Sequence, residues 1–243
     1  MTAPSPAVQR QPVPPKSLLW RLVTLPFHVM GALMGSLILS ILIECVGMTL
    51  FWPQQGWRHA QEMLAFEVNQ LSENFTRSVV MSAPGQTGAR WVTLGYQRLL
   101  VDTGLTDRQH PIQEWRHQWD IQYYAGRLSA QLENYLIAAV YTVLVFGVRL
   151  MVLCLSLPFC LVAVLVGVID GLVRRDLRRF GAGRESGFIY HRAKACLVPL
   201  TALPWVAYLA APVSISPLLL IIPTTALLAM MASITVANFK KHL

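Results

Sequence analysis

Long apolar runs restrict what this chain can fold into more than any other feature of its sequence. There are four of them, at residues 22–52, 135–173, 195–211 and 218–237. A helix of about 20 apolar residues crosses the hydrocarbon core of a bilayer. Apolar residues make up 54% of the chain and charged residues 13%, against about 25% charged residues in a typical soluble domain. The sequence therefore predicts an all-α integral membrane protein with four transmembrane helices.

The two longer runs can each be interpreted in two ways. Run 22–52 follows basic residues, as a signal peptide would, but it is longer than the usual apolar region of about 7–15 residues and no clean cleavage site closes it. We expect a retained anchor. Run 135–173 is long for one crossing and short for two with a loop. A hairpin turning near Arg149 would conflict with the charge pattern, so we expect a single long helix.

Positive charge is concentrated in three segments. These are predicted as a disordered cytoplasmic tail (1–21), a basic cytoplasmic loop (174–194) and a second cytoplasmic tail (238–243). Residues 53–134 carry seven Arg, eight Asp and Glu, and no Lys. Because Lys and Arg favour the cytoplasmic side of a membrane, four crossings place both termini inside and residues 53–134 in the periplasm of a bacterial inner membrane.

Residues 53–134 have helical periodicity and are predicted to form a small periplasmic helical domain. The stripe of the first helix consists of Trp57, Leu64, Val68, Leu71, Phe75 and Val79. Their spacings of three, four and seven residues are those of one helical face. A second helix is expected over 90–101, and a third after Pro111.

Two charged residues, Glu44 and Arg149, lie inside the apolar runs far from their cytoplasmic ends. Glu44 is about 22 residues from Leu22, and Arg149 about 21 residues from Asp170, which puts both roughly 30 Å from the inner boundary. A charge at the bilayer centre costs at least about 2.5–3.5 kcal/mol, so such residues usually pair or reach water. We predict an intramembrane ion pair between Glu44 and Arg149. The alternative is that each reaches the outer headgroup region by itself.

Sequence motifs for catalysis and cofactor binding are missing. The segment GAGRESG at 181–187 lacks the Lys-[Ser/Thr] of a phosphate loop, and the chain has no HExxH and no GxSxG. The cysteines, which form no CxxC pair, are Cys45, Cys154, Cys160 and Cys196. They are typical of apolar filler rather than of disulfides or metal ligands. We expect no enzymatic activity and no cofactor.

The basic loop has helical charge spacing at its start. Arg174 with Arg178, and Arg175 with Arg179, are i, i+4 pairs that predict a cationic extension of the preceding helix. Such a cluster attracts anionic lipid headgroups at about 1 kcal/mol per residue. It would equally suit an acidic partner or phosphate.

The segment DGLVRRDLRRFGAGRESGFIYHRAK, residues 170–194, followed by proline-bearing apolar helices, resembles the integrating conjugative element membrane protein family. This is a bacterial inner-membrane family with a domain of unknown function. The positions that match its basic loop are Arg174, Arg175, Asp176, Arg178, Arg179, Gly181, Gly183, Arg184, Tyr190, His191, Arg192 and Lys194. The resemblance implies a product of conjugative elements that encode a type IV secretion apparatus, and no defined chemistry.

The leading hypothesis is a non-enzymatic inner-membrane accessory component of a conjugative DNA-transfer system. Its basic loop would contact the coupling ATPase or other type IV secretion subunits, anionic membrane lipids, or passing nucleic acid. Two alternatives stay open: a small transporter or pore-forming membrane protein, and a surface or entry exclusion protein.

Overall fold

In the computed structural model, residues 18–75, 81–104, 121–180 and 187–239 are described. They form helices joined by turns. The helices are α1 (Leu18–Leu50), α2 (Arg58–Asn74), α3 (Pro84–Tyr96) with a short π-helical extension (Gln97–Val101), α4 (Ile121–Phe180), α5 (Gly187–Ala210) and α6 (Pro217–Ala237). The chain divides into two compact units, residues 1–35 and 36–243.

Four of these helices are long and apolar enough to cross a membrane. The candidate spans are Val23–Leu50, Leu128–Arg178, Phe188–Ala210 and Pro217–Ala237. Their number and order agree with the four apolar runs of the sequence. The described part of the chain is therefore all-helical, and its four candidate spans are consistent with the membrane protein that composition predicts.

The first unit contains the start of α1, which is already helical at Leu18. Pro26 lies inside this helix, and the ring of His28 donates through Nδ1 to the backbone oxygen of Thr24, 2.6 Å away. Large apolar side chains here are exposed, with Phe27 at 75%, as expected of a lipid-facing helix. Residues 1–17 of the predicted tail at 1–21 lie outside the described residues.

Helix α4 is a single helix of 60 residues, about 90 Å long at 1.5 Å per residue. It continues through Arg149 and Pro158, so one long helix, rather than a hairpin, forms there as predicted. The helix also begins earlier than expected, at Ile121, so the boundary predicted at residue 134 falls inside it. Up to residue 120, the helix predicted after Pro111 lies outside the described residues.

Helices α4 and α6 pack through small residues. A Cβ placed on Gly167 would lie 2.9 Å from the carbonyl carbon of Ala229, and one on Gly171 would lie 2.6 Å from the backbone oxygen of Ser233. Both pairs are four residues apart on their helices, the small-xxx-small spacing that lets membrane helices approach closely. The two backbones therefore touch where larger side chains would hold them apart.

Helices α2 and α3 pack on the first half of α4 rather than forming a separate core. Trp57 stacks on Tyr141 with ring centroids 5.9 Å apart. On α3, a Cβ on Gly95 would lie 2.5 Å from Cδ2 of Leu144. The most buried residues of this half of α4 include Ala138 and Val152, both at 0% exposure. The region predicted as a small helical domain thus shares its core with the first half of α4.

Candidate functional site

The largest fully buried side chain in the described ranges is Arg149, at 0% exposure. Its Nε donates to Oε1 of Glu67 at 2.8 Å, and Glu67 is also fully buried. The other oxygen of Glu67 accepts from the hydroxyl of Tyr208 at 3.0 Å. The guanidinium carbon of Arg149 lies 5.3 Å from the ring centroid of Tyr208. Side chains from α2, α4 and α5 therefore meet in one ionic cluster.

Arg149 also binds the turn between α5 and α6. Its Nη1 donates to the backbone oxygens of Tyr208 (3.1 Å) and Ala211 (2.5 Å), and its Nη2 donates to that of Val213 (2.9 Å). The first two of these carbonyls belong to the last turn of α5 and the residue after it, where helical partners are missing. One guanidinium thus binds a buried carboxylate and three backbone carbonyls at the end of α5 and in the turn that follows it.

This cluster suits a structural role better than a chemical one. A buried charge is stable only when it is paired and hydrogen-bonded, and four of the five N–H groups of Arg149 have such partners. Both oxygens of Glu67 are likewise bonded. The arrangement holds α2 and the α5–α6 turn against α4.

A second polar contact links α1 to α2. His59 Nδ1 lies 3.0 Å from Oε1 of Glu44, which is 1% exposed. The ring of Trp52 stacks on His59 with centroids 4.1 Å apart. Among the described residues, neither Oε2 of Glu44 nor Nε1 of Trp52 has a hydrogen-bond partner. Glu44 is therefore held by a single hydrogen bond, whereas Glu67 has two.

These contacts correct the predicted ion pair between Glu44 and Arg149. Both residues are buried, as the apolar runs required, but Glu44 bonds His59 and Arg149 bonds Glu67. The prediction weighed only partners inside the apolar runs and did not consider His59 or Glu67, which come from residues 53–134. Helix α2 instead packs against α4 and supplies a nearer partner to each charge.

Glu67 was missed although its position in the sequence carries a signal. The buried face of α2 consists of Ala60, Met63, Leu64, Glu67 and Leu71. Ala60, Leu64, Glu67 and Leu71 are separated by four, three and four residues. This spacing puts the carboxylate of Glu67 on the apolar stripe of the helix. A charge at such a position is almost never fully buried unless it is paired, so it predicts a buried cation elsewhere.

The predicted basic loop is largely helical. Helix α4 continues to Phe180 and α5 begins at Gly187, eight residues before the predicted start of the third transmembrane helix at 195. Gly181, Gly183 and Arg184 lie outside the described residues, as does the side chain of Arg179. The described parts of the segment, 174–180 and 187–194, are therefore helical, because charge by itself does not interrupt a helix.

At the end of α4, Arg178 contacts the end of α6, and Asp170, which pairs with Arg174, also contacts α6. Arg174 Nε lies 2.9 Å from Oδ2 of Asp170, and the same oxygen accepts from the hydroxyl of Ser233 at 2.6 Å. Arg178 donates to Oδ1 of Asn238 at 3.1 Å and to the backbone oxygen of Ala237. A cation at the last carbonyls of a helix also complements its dipole. One of the predicted interaction residues, Arg178, thus bonds the end of α6 directly, and a second, Arg174, pairs with the carboxylate that bonds Ser233.

Aromatic rings contact the remaining cations. Arg175 lies 6.0 Å from the ring centroid of Phe239, and Lys194 lies 5.8 Å from that of the buried Tyr190. Tyr190 itself packs edge-on against Phe239. Such cation–π contacts contribute about 0.5–1 kcal/mol at exposed sites.

Three further residues of the predicted loop, Asp176, His191 and Arg192, are exposed, as is Lys194. Arg192 lies 5.4 Å from the ring centroid of Phe188, which is 69% exposed, and the ring of His191 is 5.2 Å from that of Tyr190. This end of the molecule therefore presents positive charge that helix packing does not use.

Across the described ranges, no three His, Cys, Asp or Glu residues lie close enough together to hold a metal ion. The four cysteines are free thiols. The site has no arrangement that we can assign to a cofactor.

Fold and site together define a helical protein with four candidate membrane spans, a buried ionic cluster and one cationic end. Residues 51–240 match the model of the DtrJ-like family, described as IncC plasmid conjugative DNA transfer protein DtrJ-like. Since the match covers most of the 243 residues, the chain belongs to the DtrJ-like family. No curated protein and no solved structure gives a significant match.

The family match confirms the link to conjugation that the resemblance of residues 170–194 implied. The protein is therefore related to conjugative DNA transfer. The family description names a plasmid transfer protein, whereas the resemblance pointed to an integrating conjugative element.

Proposed function

We propose that the protein is a non-enzymatic accessory component of a conjugative type IV secretion system, such as that of an integrating conjugative element. In this proposal it lies in the bacterial inner membrane and acts by contact with other proteins near the coupling ATPase. The observation that carries the proposal is the DtrJ-like match over residues 51–240. The four candidate spans support a membrane location.

The orientation follows from charge. With the Lys- and Arg-rich ends of α4 and α5 in the cytoplasm, both termini are cytoplasmic, and α2 and α3 are periplasmic. The nearly neutral region 53–134 then lies on the side where Lys is disfavoured. A coupling ATPase works in the cytoplasm, so the cationic end is the surface that would meet it.

Contacts within the protein reduce the number of cationic residues that are available to bind the coupling ATPase. Arg178 is hydrogen-bonded to the end of α6, and Arg174 is paired with Asp170 one turn earlier on α4, so both are already engaged within the protein. Arg192 and Lys194 are exposed on α5 and contact only aromatic rings among the described residues. We assign the partner contact to Arg192 and Lys194.

The buried charges support an accessory role over transport. Arg149 and Glu67 are bonded to each other and to their surroundings, and both are fully buried. A transport path needs polar groups that can exchange partners with water or an ion. A fixed cluster of this kind stabilises helix packing instead.

The test is capture of the coupling ATPase by full-length protein in membranes of the conjugative host. Replacement of both Arg192 and Lys194 by Ala should lower recovery of the ATPase about tenfold, since each lost charge contact contributes up to about 1 kcal/mol. Transfer frequency should fall with it.

The matched control removes the same charge elsewhere. Arg90 and Arg98 are exposed on α3 and its π-helical extension, and their replacement by Ala should leave recovery unchanged. Equal recovery from all three proteins, or equal loss in both variants, would remove the basis for a contact at Arg192 and Lys194. Binding of DNA in place of the ATPase would also overturn it.

A further inference from the structure

A groove lies between the end of α4 and the end of α6. It has a volume of about 390 Å³. Its walls combine two arginines, three apolar side chains and one amide, from Arg174, Leu177, Arg178, Ile234, Ala237 and Asn238. Charged and apolar walls therefore meet in one space.

The groove lies where two candidate spans finish. The span on α4 ends at Arg178 and the span on α6 ends at Ala237. Leu177, one turn from the end of α4, is 66% exposed. Lipid headgroups occupy the level at which apolar spans end, with the acyl chains beside the spans themselves. The polar part of the groove is thus at headgroup level and its apolar part at the start of the acyl region.

The charges at the groove do not cancel. Arg174 and Arg178 carry two positive charges, and Asp170, bonded to Arg174, carries one negative charge. Arg174 uses Nε on Asp170, and its Nη groups have no hydrogen-bond partner among the described residues. On Arg178, Nη1 and Nη2 each use one N–H on α6, which leaves one N–H on each. One positive charge and several donors stay uncompensated.

We propose that this groove binds an anionic phospholipid, with the phosphate accepting hydrogen bonds from Arg174 and Arg178. A phosphodiester carries the single negative charge that the groove lacks, and guanidinium groups bind phosphate well. The apolar walls at Leu177 and Ile234 take the start of an acyl chain. Free phosphate would leave these walls without a ligand, which is why a lipid is the occupant. The site does not depend on any contact with the coupling ATPase.

The test is native mass spectrometry of the delipidated full-length protein in detergent, with added phosphatidylglycerol or phosphatidylcholine. The wild-type protein should retain phosphatidylglycerol and little phosphatidylcholine. Arg174→Gln should reduce retention of phosphatidylglycerol about fivefold, the effect of one arginine at a membrane surface. Leu177→Gln keeps both arginines and should also reduce it.

Arg192→Gln is the matched control, because it removes one exposed arginine of the same cationic end outside the groove. It should retain phosphatidylglycerol as the wild type does. Equal loss in Arg192→Gln and Arg174→Gln, or equal retention of both lipids by the wild type, would overturn the site. Full displacement of the lipid by millimolar inorganic phosphate, or retention unchanged in Leu177→Gln, would overturn the lipid as its occupant.

Discussion

At the scale of single residues, the buried charges of Glu67 and Arg149 stabilise each other, and neither charge would be stable in this position without the other. Replacement of Glu67 by Ala leaves the guanidinium of Arg149 fully buried without its carboxylate and removes the acceptor of the Tyr208 hydroxyl. Breaking a buried pair in this way costs about 3–5 kcal/mol. The free energy of unfolding in detergent, measured by equilibrium denaturation, should fall by that amount.

A double-mutant cycle separates this mutual dependence from simple loss of packing. Arg149→Met alone should also destabilise strongly, because Glu67 and three carbonyls lose a partner. With Glu67→Leu added, the further loss should be small, which gives a coupling free energy of about 2–3 kcal/mol. Strictly additive effects would show that the two residues do not act as a pair.

The two buried glutamates should respond differently to loss of charge. Glu67 uses both oxygens, one on a cation and one on a hydroxyl, so Glu67→Gln should cost at least about 2 kcal/mol. Glu44 has one bond, to His59, which a glutamine oxygen can also accept, so Glu44→Gln should cost less than about 1 kcal/mol. The same denaturation experiment compares them, and the reverse order would contradict the hydrogen-bond pattern.

At the scale of helices, the crossing of α4 and α6 depends on the absence of side chains. Gly167→Ala would place a Cβ 2.9 Å from the carbonyl carbon of Ala229, and backbone cannot move aside as a flexible side chain can. Overpacking of this kind costs about 1–3 kcal/mol. We expect that loss in the free energy of unfolding of the purified protein.

Gly147 provides the control on the same helix. A Cβ there meets nothing within 4 Å, so Gly147→Ala should be neutral or stabilising by up to about 1 kcal/mol through helix propensity. If Gly147→Ala destabilised as much as Gly167→Ala, a general effect of glycine in α4 would replace close packing as the explanation.

The sequence predicts most of the helices because hydropathy and length decide them locally. The single helix through Arg149 followed from charge placement, and α4 is continuous there. Helix ends were less predictable. The predicted loop at 174–194 was identified by polarity, and polar residues such as those at 187–194 continue α5 as readily as apolar ones.

The partners of the buried charges could not be predicted from local pattern alone. Burial of Glu44 and Arg149 follows from apolar neighbours, but the choice of partner depends on how α2 docks against α4. A carboxylate at Glu67 on the buried stripe was the one available signal. It indicates that Arg149 has a partner outside the apolar runs, although no spacing rule names the partner across 82 residues.

At the scale of the whole molecule, the buried ionic cluster lies within the part of the chain that matches the family. Glu67, Arg149 and Tyr208 all lie within residues 51–240, whereas α1 ends at Leu50. Within the unit 36–243, α1 is tied to α2 by the single hydrogen bond of Glu44. The buried ionic cluster therefore lies wholly within the part of the chain that matches the family.

The proposed orientation in the membrane can be tested by cysteine labelling from one side. Gln61 is exposed on α2 and Lys194 is exposed on α5, and charge asymmetry puts them on opposite sides of the membrane. In a background with the four native cysteines replaced, a cysteine at Gln61 should react with a membrane-impermeant maleimide in spheroplasts. A cysteine at Lys194 should react only after permeabilisation. Labelling of both in intact spheroplasts would contradict the four-span arrangement, and labelling of Lys194 alone would invert it and remove the cationic end from reach of a cytoplasmic ATPase.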